Sequence, residues 1–186
     1  MLRLHSRILL VLLVLSGSAG AADVRRYALA DRGAIVFTVP DGWREEVHRA
    51  AAHLPPTIVF YPSLGAGFQF LVTPIWPFKP DVPKPSVETV RESVQRAADS
   101  AKSRAVETEL KIEQFEGAET FASYFSATDR APKLGEYKHM TQGMMGLADL
   151  RVTFTVLVND DREVIVPKAL DMLRGARLEA GGGNAR

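Results

Sequence analysis

The sequence of 186 residues contains no cysteine. Disulfide bonds, thiol catalysis and thiolate metal sites are therefore excluded. A diacyl lipid anchor, which is attached through a cysteine, is excluded as well. A chain of this size needs no such cross-links, because a domain of roughly 165 residues buries about two-thirds of the surface that its unfolded chain exposes. We therefore expect one domain that is held together by its hydrophobic core.

The sequence also lacks an excess of either charge. It has 23 Lys and Arg against 22 Asp and Glu, which gives a formal net charge of +1. No block of like charges interrupts this balance, and this argues against nucleic acid or an anionic membrane surface as the partner. The sequence therefore predicts no nucleic-acid partner.

No apolar run is long enough to cross a membrane, which takes about 20 residues. The run at Ile8–Leu15 follows Arg3 and Arg7 and precedes the small residues Ala19-Gly20-Ala21. This order of charge, apolar stretch and small residues is typical of a cleaved secretory signal peptide. We predict such a peptide at residues 1–21 and an exported, soluble protein, periplasmic or secreted, without stable membrane insertion. An uncleaved N-terminal anchor is the alternative.

The rest of the chain is predicted to form one domain at residues 22–178, with a disordered, glycine-rich tail at 179–186. Apolar residues alternate with polar ones in several short segments, as in Leu150–Val158, and this pattern is typical of half-buried strands. We count about seven or eight strands, joined mostly by hairpins. Residues 143–146, with the sequence GMMG, are predicted to be the turn that precedes the strand at Leu150–Val158.

Two helices are predicted. Ser86 is expected to cap the first, which runs to about Ala105 with one apolar stripe. Residues 159–161 precede the second, at Arg162–Gly175, which contains Pro167. Short hairpins give antiparallel pairing, so the fold class is α+β. We expect an antiparallel sheet of about six to eight strands, flanked by helices in an α-β-α sandwich.

Residues 74–85 form an unusual segment between the predicted strands and the first helix. The segment holds five prolines in twelve residues. Proline lacks a backbone donor, so this density excludes both a helix and a central strand. We predict an extended loop.

Three segments of the chain resemble the PsbP-like group. They are FTVPDGW at 37–43, LRVTFTVLVN at 150–159, and ALDML at 169–173. The resemblance spans roughly residues 35–178 and implies an α-β-α sandwich. Members include an extrinsic subunit of photosystem II, a nuclear-transport factor that binds the small GTPase Ran, chaperones of secreted effectors and exported bacterial proteins. The resemblance therefore implies an exported, bacterial-type accessory or binding protein.

The sequence carries no recognisable catalytic signature. Ser63 lies in a glycine-bearing loop, but the chain has no G-x-S-x-G nucleophile elbow. Glu45 and Glu46 are adjacent, so on a strand their carboxylates face opposite sides of the sheet. We predict no catalytic residue and no cofactor. The pattern favours a protein that is not an enzyme, although it does not exclude one.

Two pairs of side chains are candidate contacts for an unknown protein partner. Trp76 and Phe78 lie in the proline-rich loop, where exposed aromatic residues on a stiff backbone would serve as interface anchors. Met144 and Met145 lie at the predicted hairpin tip, where methionine is an adaptable contact residue. The alternative for each pair is burial in the core.

Two further functions remain open at this stage. A small-ligand carrier or hydrolase would have a pocket under the loop at 74–85, with Tyr137, His139 and Thr141 as its polar groups. A periplasmic copper binder would use His139 with the nearby methionines, because imidazole and thioether groups suit Cu(I). Met140 nevertheless adjoins His139 on a strand and should face the other way, so no metal-ligand set is predicted.

Overall fold

A computed structural model of the chain describes residues 23–51, 53–76 and 82–180. The predicted signal peptide, Phe78 and residues 181–186 lie outside the described residues. Ten strands and two helices follow one another along the described chain. Their bounds are β1 Asp23–Ala28, β2 Ala34–Val39, β3 Trp43–His48, β4 Thr57–Pro62, β5 Phe68–Ile75, α1 Val87–Ala101, β6 Glu113–Glu116, β7 Thr120–Thr128, β8 His139–Leu147, β9 Leu150–Val158, α2 Arg162–Arg174 and β10 Arg177–Glu179.

The strands form two antiparallel sheets. The larger has seven strands in the order β3-β4-β5-β9-β8-β7-β6, and the smaller has three in the order β1-β2-β10. Strand β9 lies at the centre of the larger sheet, between β5 and β8. Its residues alternate between full and partial burial over its whole length, as the sequence pattern predicts. The two faces of the sheet therefore have different environments.

The inner face of the larger sheet, as we call it, carries most of the core. The three-stranded sheet and α2 pack on it and enclose the main core. Aromatic rings join the two sheets: the ring of Phe37 in the smaller sheet lies edge-on to that of Phe60 in the larger, with centroids 6.2 Å apart. Trp43 and Phe68 continue the cluster, with centroids 4.6 Å apart. Contacts of this geometry add to the stability that burial provides.

The opposite, outer face is covered only in part. Helix α1 packs against β7 and β8, where Val94 and Ala98 meet Phe125. A capping box formed by Ser86 and Thr89 fixes the start of this helix. The outer side chains of β5 and β9 beyond the helix remain half-exposed. In the described part of the chain, neither helix is long and apolar enough to cross a membrane.

The predicted fold class is confirmed. The larger sheet has seven strands, within the expected six to eight, with α1 on one face and α2 on the other. Both helices begin where the sequence places them, and Pro167 lies inside α2. Strand β10, which pairs with β2, was not predicted from the sequence. Glu179 belongs to this strand, so the predicted tail starts too early.

The predicted turn at residues 143–146 is wrong. These residues lie inside β8, and the turn is at Ala148 and Asp149. The two glycines instead leave room for aromatic neighbours. A Cβ atom on Gly143 would lie 2.4 Å from Cζ of Phe154, and one on Gly146 would lie 2.3 Å from Cζ of Phe121. The two glycines are therefore explained by close packing with the neighbouring strands, and the chain does not turn at this point.

The predicted start of the proline-rich loop is also wrong by two residues. Strand β5 continues through Pro74 to Ile75, and Pro74 lies opposite Val152 of β9. The backbone pairing of β5 with β4 ends at Val72, and the last contact between the two strands is that of the Thr57 and Thr73 hydroxyls, so at Pro74 the paired neighbour of β5 is β9. A proline is tolerated there, because an edge position needs no donor on its open side.

Gly143→Ala should destabilise the fold. The added methyl group would meet the backbone carbonyl oxygen of Ser123 at 2.5 Å as well as the ring of Phe154, and a backbone atom cannot move aside. We expect a loss of about 1–3 kcal/mol in the free energy of unfolding, measured by urea denaturation. Gly67→Ala is the control, because nothing lies within 4 Å of its Cβ position. Equal stability of the two variants would contradict the packing described for Gly143.

Candidate functional site

A cleft of about 430 Å³ opens on the outer face of the larger sheet, where α1 ends. Its floor is one row of side chains across neighbouring strands, in which Ala127 lies opposite Met140 and Met140 opposite Leu157. The row ends at Gln69, which lies opposite Leu157 and belongs to the rim. Ala127 and Met140 belong to the apolar cluster that α1 covers, but the helix ends at Ala101 and leaves the rest of the row uncovered. The floor is therefore mostly apolar and partly open to solvent.

Polar residues surround this floor. They come from the 3₁₀ turn that follows α1, from strand β5 and from the loop at residues 129–138. The rim consists of Gln69, Arg104, Asp129, Glu136, Tyr137 and Lys138. An apolar floor with a few polar groups at its edge is the usual composition of a small-molecule site.

The loop at residues 129–138 forms one wall, and its stem is held by backbone hydrogen bonds. The N–H of Asp129 donates to the carbonyl of Lys138 at 2.8 Å, and the N–H of Arg130 donates to the carbonyl of Arg104 at 2.9 Å. The guanidinium of Arg130 donates to the carbonyl of Ala105 at 2.7 Å. These bonds tie the wall to the end of α1, so the shape of the cleft is set before any ligand binds.

Tyr137 connects this wall to the loop between β4 and β5. Its hydroxyl donates to the carbonyl of Ala66 at 3.5 Å. Burial raises the pKa of the Tyr137 hydroxyl, and the neighbouring Tyr61 raises it further. The phenol therefore keeps its proton at neutral pH and remains a donor.

The three predicted pocket residues do not come together. Tyr137 lines the cleft at the end of α1. His139 and Thr141 lie opposite Val158 and Val156 on the inner face, so their side chains point away from the cleft. The described residues of the 74–85 segment do not line the cleft either, so the pocket lies beside the end of α1 and not under that loop.

His139 and Thr141 belong to hydrogen-bonded pairs on the inner face. Nδ1 of His139 lies 3.2 Å from the hydroxyl of Thr128, which in turn lies 2.8 Å from the carboxylate of Glu107. The hydroxyl of Thr141 pairs with that of Ser126 at 2.8 Å. These contacts satisfy polar groups within the sheet, and such pairing is what buried polar side chains need.

Burial and charge act on the ionisable members of this group. Burial lowers the pKa of His139, and the positive charges of Arg162 and Lys138 lower it further. Burial alone would raise the pKa of Glu107, but the hydrogen bonds from Thr128 and the charge of Arg162 outweigh it and lower that pKa. Neutral imidazole and ionised carboxylate are therefore the favoured forms here.

The candidate partner contacts are mostly covered in this fold. Trp76 is only 6% exposed, and the guanidinium of Arg32 lies 5.8 Å from the centre of its ring. Met145 is fully buried on the inner face, and Met144 is half-buried on the outer face near α1. Phe78 lies outside the described residues. The expectation of an exposed methionine tip is therefore wrong, because both methionines lie within a strand.

The proposed copper ligands are also separated. His139 and Met145 lie on the inner face of β8, while Met140 and Met144 lie on its outer face. Within the described ranges, no three His, Asp or Glu side chains lie close enough together to hold a metal ion. The imidazole and the thioethers of this segment therefore do not converge on one point.

Two exposed leucines were missed by the sequence analysis. Leu64 lies in the loop between β4 and β5, Leu134 lies in the wall loop, and both side chains are almost fully exposed. The hydrogen bond from Tyr137 to Ala66 joins these two loops. The available signal was a leucine beside glycine in each turn, at Leu64-Gly65 and Leu134-Gly135.

No protein-family model and no curated protein matches the sequence. Two solved structures are among those that match the fold. A crystal structure of a protein from Bacteroides thetaiotaomicron has a TM-score of 0.52 at 10% identity, over 80% of this chain and 46% of that one. The chain thus spans about half the length of that protein. The solution structure of the cyanobacterial PsbP of Synechocystis has a TM-score of 0.49 at 17% identity, over 90% of this chain and 99% of that one.

The pKa of His139 should lie below its ordinary value of 6.5. A histidine whose pKa is lowered by folding stabilises the folded state above pH 6.5, and this contribution is lost as the pH falls through the folded-state pKa. We expect an NMR titration of the imidazole to show this low pKa. His139→Gln should also reduce the loss of stability on acidification.

His48→Gln and His53→Gln serve to assign the other histidine signals in that titration. They also test whether the change in pH dependence is specific to position 139. A titration midpoint of His139 at or above 6.5 would contradict the burial and charge arrangement described here.

Proposed function

We propose that this protein is an exported binding protein that holds a small, partly apolar molecule in the cleft at the end of α1. The observation that supports this proposal is the cleft itself, with its volume of about 430 Å³ and its apolar floor inside a polar rim. Known ligand sites have volumes of about 300–1,000 Å³ and the same kind of lining.

The residues around the cleft support binding more than catalysis. Among the described residues that line it, none is a histidine or a serine. The two carboxylates of the rim, Asp129 and Glu136, each accept a hydrogen bond from a loop amide and so help to hold the wall in shape. A nucleophile next to a general base, as most hydrolases need, is not found among these side chains.

Export is part of the proposal and rests on the leader pattern of the sequence. Charge, an apolar stretch and small residues follow one another before residue 22.

Leu157→Asp should abolish binding in the cleft. The variant places a carboxylate in the middle of the apolar floor, and an apolar ligand would have to bury that charge without a partner. With the neutral fluorophore N-phenylnaphthylamine as probe, we expect a single saturable site in the wild type and a loss of affinity of at least about tenfold in the variant.

Thr153→Asp is the matched control. Thr153 lies on the same strand and the same face as Leu157, but it does not line the cleft. The control should bind the probe as the wild type does, and circular dichroism should show both variants to be folded. Equal binding by the Leu157 variant would place the probe elsewhere and would overturn the proposal.

A second candidate function is contact with a protein partner through Leu64 and Leu134. These side chains are almost fully exposed on two loops that the Tyr137 hydroxyl ties together. Burying one leucine in an interface contributes about 1.5–3 kcal/mol. This pair takes the place of Trp76 and Met145 in our proposal, because those two side chains are already buried.

Replacement of both leucines by serine should abolish the binding of such a partner. In-cell crosslinking of the exported protein, followed by reconstitution with the purified partner, compares the wild type with the Leu64→Ser/Leu134→Ser variant. The control carries Val106→Ser and Val164→Ser, which change two other exposed apolar residues. A partner that the leucine variant still binds with wild-type affinity would exclude this surface.

A further inference from the structure

The rim of the cleft carries two acidic and two basic side chains, but the acids already have partners. Oδ1 of Asp129 accepts a hydrogen bond from the N–H of Ala131 at 2.9 Å. Oε2 of Glu136 accepts one from the N–H of Lys133, also at 2.9 Å. Both carboxylates therefore stabilise turns of the wall loop, which lowers their capacity to bind a ligand.

The two basic side chains differ from the acids in this respect. In the part of the chain that the structure describes, the guanidinium of Arg104 and the ammonium of Lys138 form no ion pair or hydrogen bond, yet both line the cleft. The backbone of Lys138 is fixed by bonds with Asn159 and Asp129. Arginine offers five donors and lysine three, so the free donors at the rim are cationic.

The end of α1 also contributes to the charge preference of the cleft. The C-terminus of a helix carries a partial negative charge, which on its own would favour a cationic ligand. Here two backbone carbonyls that follow the helix already accept hydrogen bonds from Arg130. Its backbone N–H donates to the carbonyl of Arg104, and its guanidinium donates to the carbonyl of Ala105. A positive charge therefore already compensates this end, and the free cations determine the preference.

The floor adds the second requirement. Met140 and Leu157 at its centre are apolar, and methionine adapts its shape to different ligands. A fully hydrated anion would gain nothing from these contacts. A ligand that satisfies both parts of the site needs an apolar body as well as a charged group.

We infer that the ligand of the cleft is an amphipathic anion, with an apolar body on the floor formed by Met140 and Leu157 and one carboxylate, sulfonate or phosphate group between Arg104 and Lys138. This inference rests on the proposed function and specifies its ligand. The anionic group accepts hydrogen bonds from both cations, and charge-assisted hydrogen bonds of this kind are stronger than neutral ones.

Two fluorophores with the same ring system test the inference. Anilinonaphthalenesulfonate carries a sulfonate, and N-phenylnaphthylamine lacks it. We expect the anionic probe to bind the full-length mature protein at least about tenfold more tightly than the neutral one. One hydrogen bond to a charged group typically changes an affinity by about tenfold or more. The Leu157→Asp variant verifies that both probes occupy the cleft.

Arg104→Gln and Lys138→Gln then identify the groups that bind the charge. Each should weaken binding of the anionic probe by about tenfold and leave that of the neutral probe unchanged, because glutamine keeps a polar side chain but removes the charge. Lys102→Gln is the matched control. Lys102 lies in the same 3₁₀ turn as Arg104 but does not line this cleft.

The outcomes separate this inference from the proposed function. If both probes bind the cleft with equal affinity, the site is only apolar: the inference is overturned and the proposed function stands. The same holds if a cationic apolar amine binds more tightly than the sulfonate. If neither probe binds, both proposals fail. The inference is supported if the Arg104 and Lys138 variants bind the anionic probe more weakly than the wild type and bind the neutral probe equally well.

Discussion

The structure depends on the aromatic packing between its two sheets. Rings of Tyr27, Phe37 and Phe60 meet edge to face where the three-stranded sheet lies on the larger one. Because that sheet and α2 together cover the inner face, most of the core is built on one side. The outer face is left to the single helix α1, which is only 15 residues long. The cleft lies on the outer face at the point where this helix ends.

Local signals in the sequence were sufficient for the elements that depend on local chemistry. The start of α1 follows from Ser86 as an N-cap and from an apolar stripe at helical spacing. The bounds of β9 follow from strict alternation, and both hold in the structure. Gly143 and Gly146 were misread because their meaning depends on Phe154 and Phe121 of the adjacent strands. No nearby residue distinguishes such a glycine from one in a turn.

The site shows the same division. Tyr137, His139 and Thr141 were expected to line one pocket under the loop at 74–85, but Tyr137 lines the cleft at the end of α1, and His139 and Thr141 face the other side of the sheet. The alternation of side chains along a strand shows which residues share a face. It does not show which of the two faces of the sheet a helix leaves uncovered. Trp76 similarly suggested an exposed anchor, because the sequence does not show that Arg32 covers its ring. Contacts between distant segments decide these cases.

The pairing of β2 has a consequence for how the chain acquires its structure. This strand lies between β1 and β10, which come from the two ends of the described chain. The smaller sheet is therefore incomplete until residues 177–179 are available, and contacts of such long sequence separation form slowly. Until β10 has joined, one edge of β2 carries unpaired backbone groups, and such an edge is a template for pairing with another chain. The three residues that close this edge come from the end of the described chain, so the aggregation-prone edge is the last part of the sheet to be covered.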